Sequence, residues 1–207
     1  GSYWDNGFLT NGHCLPQMSV NSSDWVGQPN RPLDTPTARV VGVETYENPG
    51  WICGSYRCRH ADAGWITDTA ASIQTGTILQ TQGWNGNFIR STTHPRFYIW
   101  GATGVIQGTQ VEKVGQSSGW TTGVVNTVCQ DRVTELNHKI LCTGRATYAS
   151  AGGDSGAPVF YWWWFYGVDT VEFVGLHWGQ SHGYANYSPW AKILDDVGDL
   201  YIIYPYF

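Results

Sequence analysis

The sequence predicts an all-β domain, and three observations carry that prediction. Aromatic residues are abundant, with 12 Trp and 12 Tyr against a single Met, and they suit strands better than helices. Glycine accounts for 26 of the 207 residues, as a chain with many tight turns requires. Hydrophobic residues make up 42% and charged residues only 13%, about half the usual charged share. The length allows one sizeable core, or two small barrels sharing one.

The elements follow in order. Gly1-Ser2 has the form of a cloning remnant. Phe8 to Cys14 reads as a short strand ending in a turn, with His13 at the strand end. Asn21 to Pro36, rich in Ser, Asp, Asn and Pro, reads as a loop. Ala38 to Tyr46 is a β-branched strand turned by Asn48-Pro49-Gly50. Gly76 to Gln82 and Arg96 to Ala102 are strands, with a break at Ser91 to Pro95. The junction of two halves falls near residues 91 to 106. Thr109 to Val114 alternates like a half-buried strand, and Gly115 to Gly123 is a turn-rich connection into a strand over Val124 to Cys129. Lys139 to Tyr148, Ala157 to Phe165 and Thr170 to Trp178 complete the strands. Ser188-Pro189-Trp190 reads as N-cap, first-turn proline and start of a helix that ends near Val197 with Gly198 as its stop. Asp195 and Asp196 oppose that helix's dipole, so Trp190, Ile193 and Leu194 must hold it by packing. The apolar tail Tyr201 to Phe207 reads as a docked extended segment.

Composition excludes several functions. The longest apolar run, Pro158 to Val168, is too short to cross a membrane as a helix. No signal peptide opens the chain. A net charge of −5 without a basic cluster argues against nucleic acid. Cys53 with Cys58 and Cys129 with Cys142 close short loops without zinc-type spacing, which favours two disulfides and an oxidising compartment. Cys14 is left over; either its partner lies outside this chain or it is a buried free thiol. Asn21-Ser22-Ser23 and Asn186-Tyr187-Ser188 match glycosylation acceptors, relevant only in a eukaryotic secretory host. His177 and His182 lack a third ligand at fitting spacing, so neither a metal nor another cofactor is expected. Trp162-Trp163-Trp164 suggests a carbohydrate or lipid platform, but alternation puts Trp163 on the opposite face, and packing is the expected use of these rings.

The stretch that carries chemistry is Gly152-Gly153-Asp154-Ser155-Gly156-Ala157-Pro158. Glycines on both sides allow a serine to stand on a tight turn with neighbouring N–H groups turned outward, as a nucleophile beside an oxyanion hole requires. Alone, His13 reads as a polar turn residue and Asp62, in His60-Ala61-Asp62-Ala63-Gly64, as a turn cap. Together the order His13, Asp62, Ser155 on a β-rich chain fits the chymotrypsin arrangement of base, acid and nucleophile. It does not fit the α/β-hydrolase order, which would also need glycine at Ala157.

Phe8-Leu9-Thr10-Asn11-Gly12-His13-Cys14, Asp62-Ala63-Gly64-Trp65, Val111 through Gly123 and Gly152 through Pro158 resemble the trypsin/chymotrypsin superfamily of secreted serine proteases, in its microbial streptogrisin-like branch. The resemblance implies an all-β fold of two six-stranded antiparallel Greek-key barrels packed together with a C-terminal helix. The N-terminal barrel, with His13 and Asp62, would occupy residues 1–95, and the C-terminal barrel, with Ser155, residues 106–207. Only twelve residues precede His13, so the first barrel is expected to lack its N-terminal strand, and a removed N-terminal segment or prosegment is implied.

The resemblance also implies roles: His13 as base and then acid, Asp62 as its orienting carboxylate, Ser155 as nucleophile, and the Gly153 and Ser155 N–H groups as oxyanion donors. Asp154 would be structural; its counterpart in the animal branch pairs with a newly cut N-terminus, of which this chain shows no sign. Ala149, Ser150, His177, Trp178 and Gly179 would wall the specificity pocket. Leu176-His177-Trp178-Gly179 resembles the glutamyl endopeptidases, so His177 with the Ser150 hydroxyl would bind a substrate carboxylate. The other reading, a core histidine bonded to a backbone carbonyl beside an apolar pocket, stays open. The expected function is a secreted, monomeric serine endopeptidase acting on proteins or peptides, without nucleic acid or membrane as partner. A catalytically idle binding module of the same fold is the alternative.

Overall fold

The computed structural model describes residues 6–15, 23, 25–28, 39–68, 76–83, 86, 88–134, 137–165 and 167–202. Asn21 and residues 203–207 of the tail lie outside these. The first half contributes β1 (Gly7–Thr10), β2 (Trp25–Gln28), β3 (Arg39–Glu47), β4 (Trp51–Cys53), β5 (Tyr56–Arg59), β6 (Gly64–Asp68) and β7 (Thr77–Leu79). There follow β8 (Arg96–Ala102), β9 (Gln110–Gly115), β10 (Gly119–Val133), β11 (His138–Ala146), β12 (Pro158–Phe165), β13 (Val168–Ser181), β14 (Tyr184–Pro189) and the helix α1 (Trp190–Val197).

Two sheets result. The smaller runs β1-β6-β3-β2, antiparallel throughout among the described residues. In the larger, β11, β10, β9, β12 and β13 pair in succession, and β14 pairs with both β13 and β11, closing a six-stranded antiparallel barrel. Each of its strands turns a small or branched residue inward: Val111, Val125, Ala146, Val159, Val174 and Ala185 are all buried in one cluster. The β4–β5 hairpin and the β7–β8 pair extend this sheet by parallel contacts, β5 on β11 and β8 on β13.

Where the two halves meet, Ala61 and Ala63 pack with Phe173, Leu176 and Ile193, and Leu9 and Trp190 lie against them.

Four sequence expectations change. Trp25–Gln28, read as loop, is a strand, because antiparallel pairing with β3 satisfies its backbone groups. The strand expected to begin at Val124 begins at Gly119, since the turn is completed within Gln116–Ser118 and Gly119 already pairs with Gly115. Ser188 does not cap α1: Pro189 holds the N-cap position without a side-chain bond, and Ser188 Oγ instead accepts the Asp62 N–H at 3.0 Å. Cys14 is an exposed thiol rather than a buried one. Both disulfides, Cys53–Cys58 and Cys129–Cys142, are present. Asn186 is fully buried, which closes that sequon to modification.

Candidate active site

His13 lies in a 3-10 turn, Gly12–Cys14, that follows β1. The turn is possible because position 12 is glycine: a Cβ there would come within 2.3 Å of Glu47 Oε1 and 2.6 Å of Arg59 Nη1. Asp62 sits in the short connection between β5 and β6, flanked by two alanines that are wholly buried. Ser155 sits on the turn before β12. Chain order thus places the base at the end of a strand of the smaller sheet, the acid where the chain crosses from β5 of the larger sheet to β6 of the smaller, and the serine on the barrel.

The three side chains form one line. His13 Nε2 is 2.8 Å from Ser155 Oγ, and His13 Nδ1 is 2.5 Å from Asp62 Oδ2. The His13 backbone N–H donates to the second carboxylate oxygen, Asp62 Oδ1, at 3.0 Å. Asp62 is almost fully buried, whereas the His13 side chain keeps 30% of its exposure toward the cleft. Burial by itself lowers the His13 pKa, but the hydrogen bond and charge of Asp62, aided by Cys14, outweigh it and raise the pKa above the ordinary 6.5.

Asn11 is a site residue that sequence reading missed. It is fully buried and donates Nδ2–H to the Asp62 carbonyl at 2.7 Å, while its Oδ1 accepts the Gly156 N–H. One side chain therefore ties the acid's loop to the serine's loop. The signal was present in Thr10-Asn11-Gly12-His13, where a polar residue occupies the inner end of a strand.

The serine turn is anchored by Asp154. Its carboxylate accepts the N–H groups of Ala151 (3.0 Å), Ser117 (2.8 Å) and Ser118 (3.1 Å), the Ser118 hydroxyl (2.5 Å) and Lys113 Nζ (2.9 Å). Burial works to raise the Asp154 pKa, yet these donors prevail and bring it down to about 2. Lys113 is itself fully buried and supplies the cation that the sequence did not reveal as Asp154's partner. Beside it, Gly153 has a φ of +96°, and a Cβ there would approach Ser117 Oγ to 2.5 Å, so only glycine fits. No hydrogen bond among the described residues uses the Gly153 or Ser155 N–H.

The expected pocket residues differ in exposure. Ala149 is exposed, and Ser150 Oγ points to Gln180 Oε1 at 3.4 Å. His177 is only 2% exposed, and Tyr148 Oη lies 3.2 Å from its Nδ1. Burial, reinforced by Lys113, lowers the His177 pKa to about 4, so its ring is neutral at physiological pH. The His177 backbone pairs with the serine turn, its carbonyl accepting the Gly156 N–H and its N–H donating to the Ala157 carbonyl, each at 2.9 Å. Trp178 and Gly179 are half-buried on the same strand. Among the described residues no cluster of His, Cys, Asp and Glu has the geometry of a metal site.

No protein-family model matches the chain, and neither does any curated protein. Solved structures do resemble it. A glutamic acid-specific serine protease that uses a histidine triad in substrate binding matches with a TM-score of 0.61 at 23% identity, over 93% of this chain and 87% of that one. A Nocardiopsis protease matches with a TM-score of 0.60 at 17% identity, over 92% and 82% of the two chains. Thermobifida fusca protease A matches with a TM-score of 0.57 at 19% identity, over 91% and 80%. The chain has the two-barrel, chymotrypsin-like fold of these bacterial serine proteases.

Proposed function

We propose that the chain is a serine endopeptidase. The observation that carries this reading is the unbroken line from Ser155 Oγ through the His13 imidazole to Asp62, at 2.8 and 2.5 Å. Ser155 attacks the scissile carbonyl and passes its proton to His13 Nε2. Asp62 keeps the Nδ1–H tautomer and stabilises the imidazolium. Negative charge on the tetrahedral carbonyl oxygen falls to the Gly153 and Ser155 N–H groups, a contribution of about 10²–10³ in turnover per donor in enzymes of this kind. His13 then protonates the leaving amine, and water, deprotonated by the same imidazole, releases the acyl group. The two disulfides support secretion into an oxidising compartment.

A fluorophosphonate probe labels such a nucleophile covalently. The expected result is stoichiometric labelling that disappears in Ser155→Ala and falls strongly in His13→Ala. A folded chain that takes no label is instead an idle binding module of the same fold.

For the residue before the scissile bond we infer an apolar or uncharged preference. Recognition of Glu would need His177 to reach the substrate, yet the ring is only 2% exposed, its Nδ1 faces Tyr148 Oη and its pKa is lowered to about 4. Peptides differing only at that residue should show kcat/KM higher for Leu, Phe or Tyr than for Glu by about tenfold or more, the order of one unsatisfied polar contact. Preference for Glu or Asp would overturn this.

A further inference from the structure

A second cleft lies at the far end of the β12–β13 hairpin and takes no part in the chemistry above. It encloses about 470 Å³, lined among others by Gln80, Thr93, His94, Trp120, Trp164 and Asp169, a volume typical of small-molecule sites. β12 starts at Pro158, just past the catalytic turn, whereas Trp164 pairs with Asp169 at its other end. Six residues at about 3.3 Å each separate the two ends by roughly 20 Å.

Asp169 is the organising group. Although buried, it accepts Trp162 Nε1–H at 3.1 Å on one oxygen and Gln80 Nε2–H at 2.9 Å on the other, with His94 Nδ1 lying 3.1 Å from that second oxygen. These donors fix the carboxylate without using all its lone pairs. Gln80, also buried, spends its NH₂ on Asp169 and leaves Oε1 with no hydrogen-bond partner among the described residues. His94 turns Nδ1 toward Asp169, which leaves Nε2 for a ligand. Thr92 and Thr93 add exposed hydroxyls that both donate and accept. At the mouth stands Trp164, 55% exposed, with the His94 ring 5.7 Å away. Packing does not account for this ring, unlike that of Trp162, which joins the core of Phe97, Trp120 and Phe160.

The chemistry selects among ligands. A cation would use acceptors alone, and Asp169 already accepts two N–H donors with the His94 ring against it. A lipid chain would need apolar walls, which Gln80, Thr93, His94 and Asp169 do not give. A pyranose has hydroxyls that donate and accept at once, and a C–H face that covers an exposed indole. We propose that this cleft binds a neutral saccharide, its hydroxyls held by Asp169, Gln80 and His94 and one sugar ring stacked on Trp164. The chain would then be held on glycan-bearing material while its peptidase cleft, about 20 Å away, stays open.

The test uses the intact chain carrying Ser155→Ala, so that self-cleavage cannot intrude and binding is read apart from catalysis. Retention on insoluble cellulose, chitin, xylan and starch is measured, and hexaoses of the same sugars are titrated by tryptophan fluorescence. Retention on at least one polymer is expected, with Trp164→Ala lowering it at least tenfold and Asp169→Asn acting in the same direction. In the Ser155-containing chain, Trp164→Ala should leave hydrolysis of a short peptide nitroanilide within twofold. Absence of retention on all four polymers, or retention undiminished in Trp164→Ala, overturns the proposal. So does a Trp164→Ala defect confined to long protein substrates, which would make the cleft a peptide site.

Discussion

Asn11 shows how one side chain can set the geometry of three others. His13 is two residues away along the chain, Asp62 is reached through its carbonyl and the serine turn through the Gly156 N–H. Truncation to alanine removes both bonds and strands a buried carbonyl, at a cost of about 1–3 kcal/mol in stability. Catalysis should suffer more than binding, because a shift of one loop against the other misaligns Ser155 and His13 without touching the substrate pocket. Asn11→Ala is therefore expected to lower kcat about tenfold or more with KM little changed. Steady-state kinetics with a chemical melt separates the two effects; a normal kcat would remove Asn11 from the positioning set.

At the scale of elements, α1 does more than pack. Its last turn carries Asp196, buried, which accepts the N–H groups of His60 at 3.0 Å and Ala61 at 2.8 Å and the Asn48 amide at 3.0 Å, with Arg59 Nε 3.6 Å away. The helix thus clasps the loop that presents Asp62. This explains an acid that the sequence shows as opposing the helix dipole, while its neighbour Asp195 is neutralised by Lys192 at 2.6 Å. Asp196→Ala leaves the His60 and Ala61 N–H groups and the Asn48 amide without their acceptor, while Arg59 keeps Glu47 and the Ala63 carbonyl, which should cost about 1–3 kcal/mol. Asp196→Asn, keeping one acceptor oxygen, should lose less, and both should reduce kcat through Asp62. Thermal melts and kinetics of the pair check this; an alanine variant with native stability would refute the clasp.

The same element shows what a sequence makes legible. The helix, its Gly198 stop and the His13, Asp62, Ser155 order can be read from local pattern, because caps and catalytic loops need particular residues at fixed places. Strands β4, β5 and β14 and the contacts of Ser188, Lys113 and Asn11 cannot. Their meaning comes from partners many positions away, such as Ser188 with Asp62 and Lys113 with Asp154, and no local period records those. The pocket was the hardest part to read, since His177 as a ligand and His177 as a core residue are the same letter until Tyr148 is seen beside it.

For the whole molecule, two titrations of opposite sign meet at one cleft. Asp154, lowered to about 2 from 3.8, stabilises the fold at all pH values above its unfolded pKa; that stability fades only as pH falls from about 4 through about 2. His13, raised above 6.5, adds stability that is complete below 6.5 and is lost as pH rises through its folded pKa. Activity runs the other way for His13, because only the neutral imidazole can accept the Ser155 proton. Between about pH 4 and 6.5 the protein should accordingly be well folded, with its serine turn anchored, and nearly inactive. The acid limb of kcat/KM should have its midpoint above 6.5, and Asp62→Asn should move that midpoint down while cutting kcat by about 10⁴. Paired profiles of kcat/KM and melting temperature against pH decide the matter. A melting temperature that falls in step with activity from pH 6.5 to 4.5 would mean that unfolding, rather than protonation of His13, switches the cleft off. Full recovery of activity on return to alkaline pH, with a melting temperature that stays flat between pH 4.5 and 6.5, is the expected outcome.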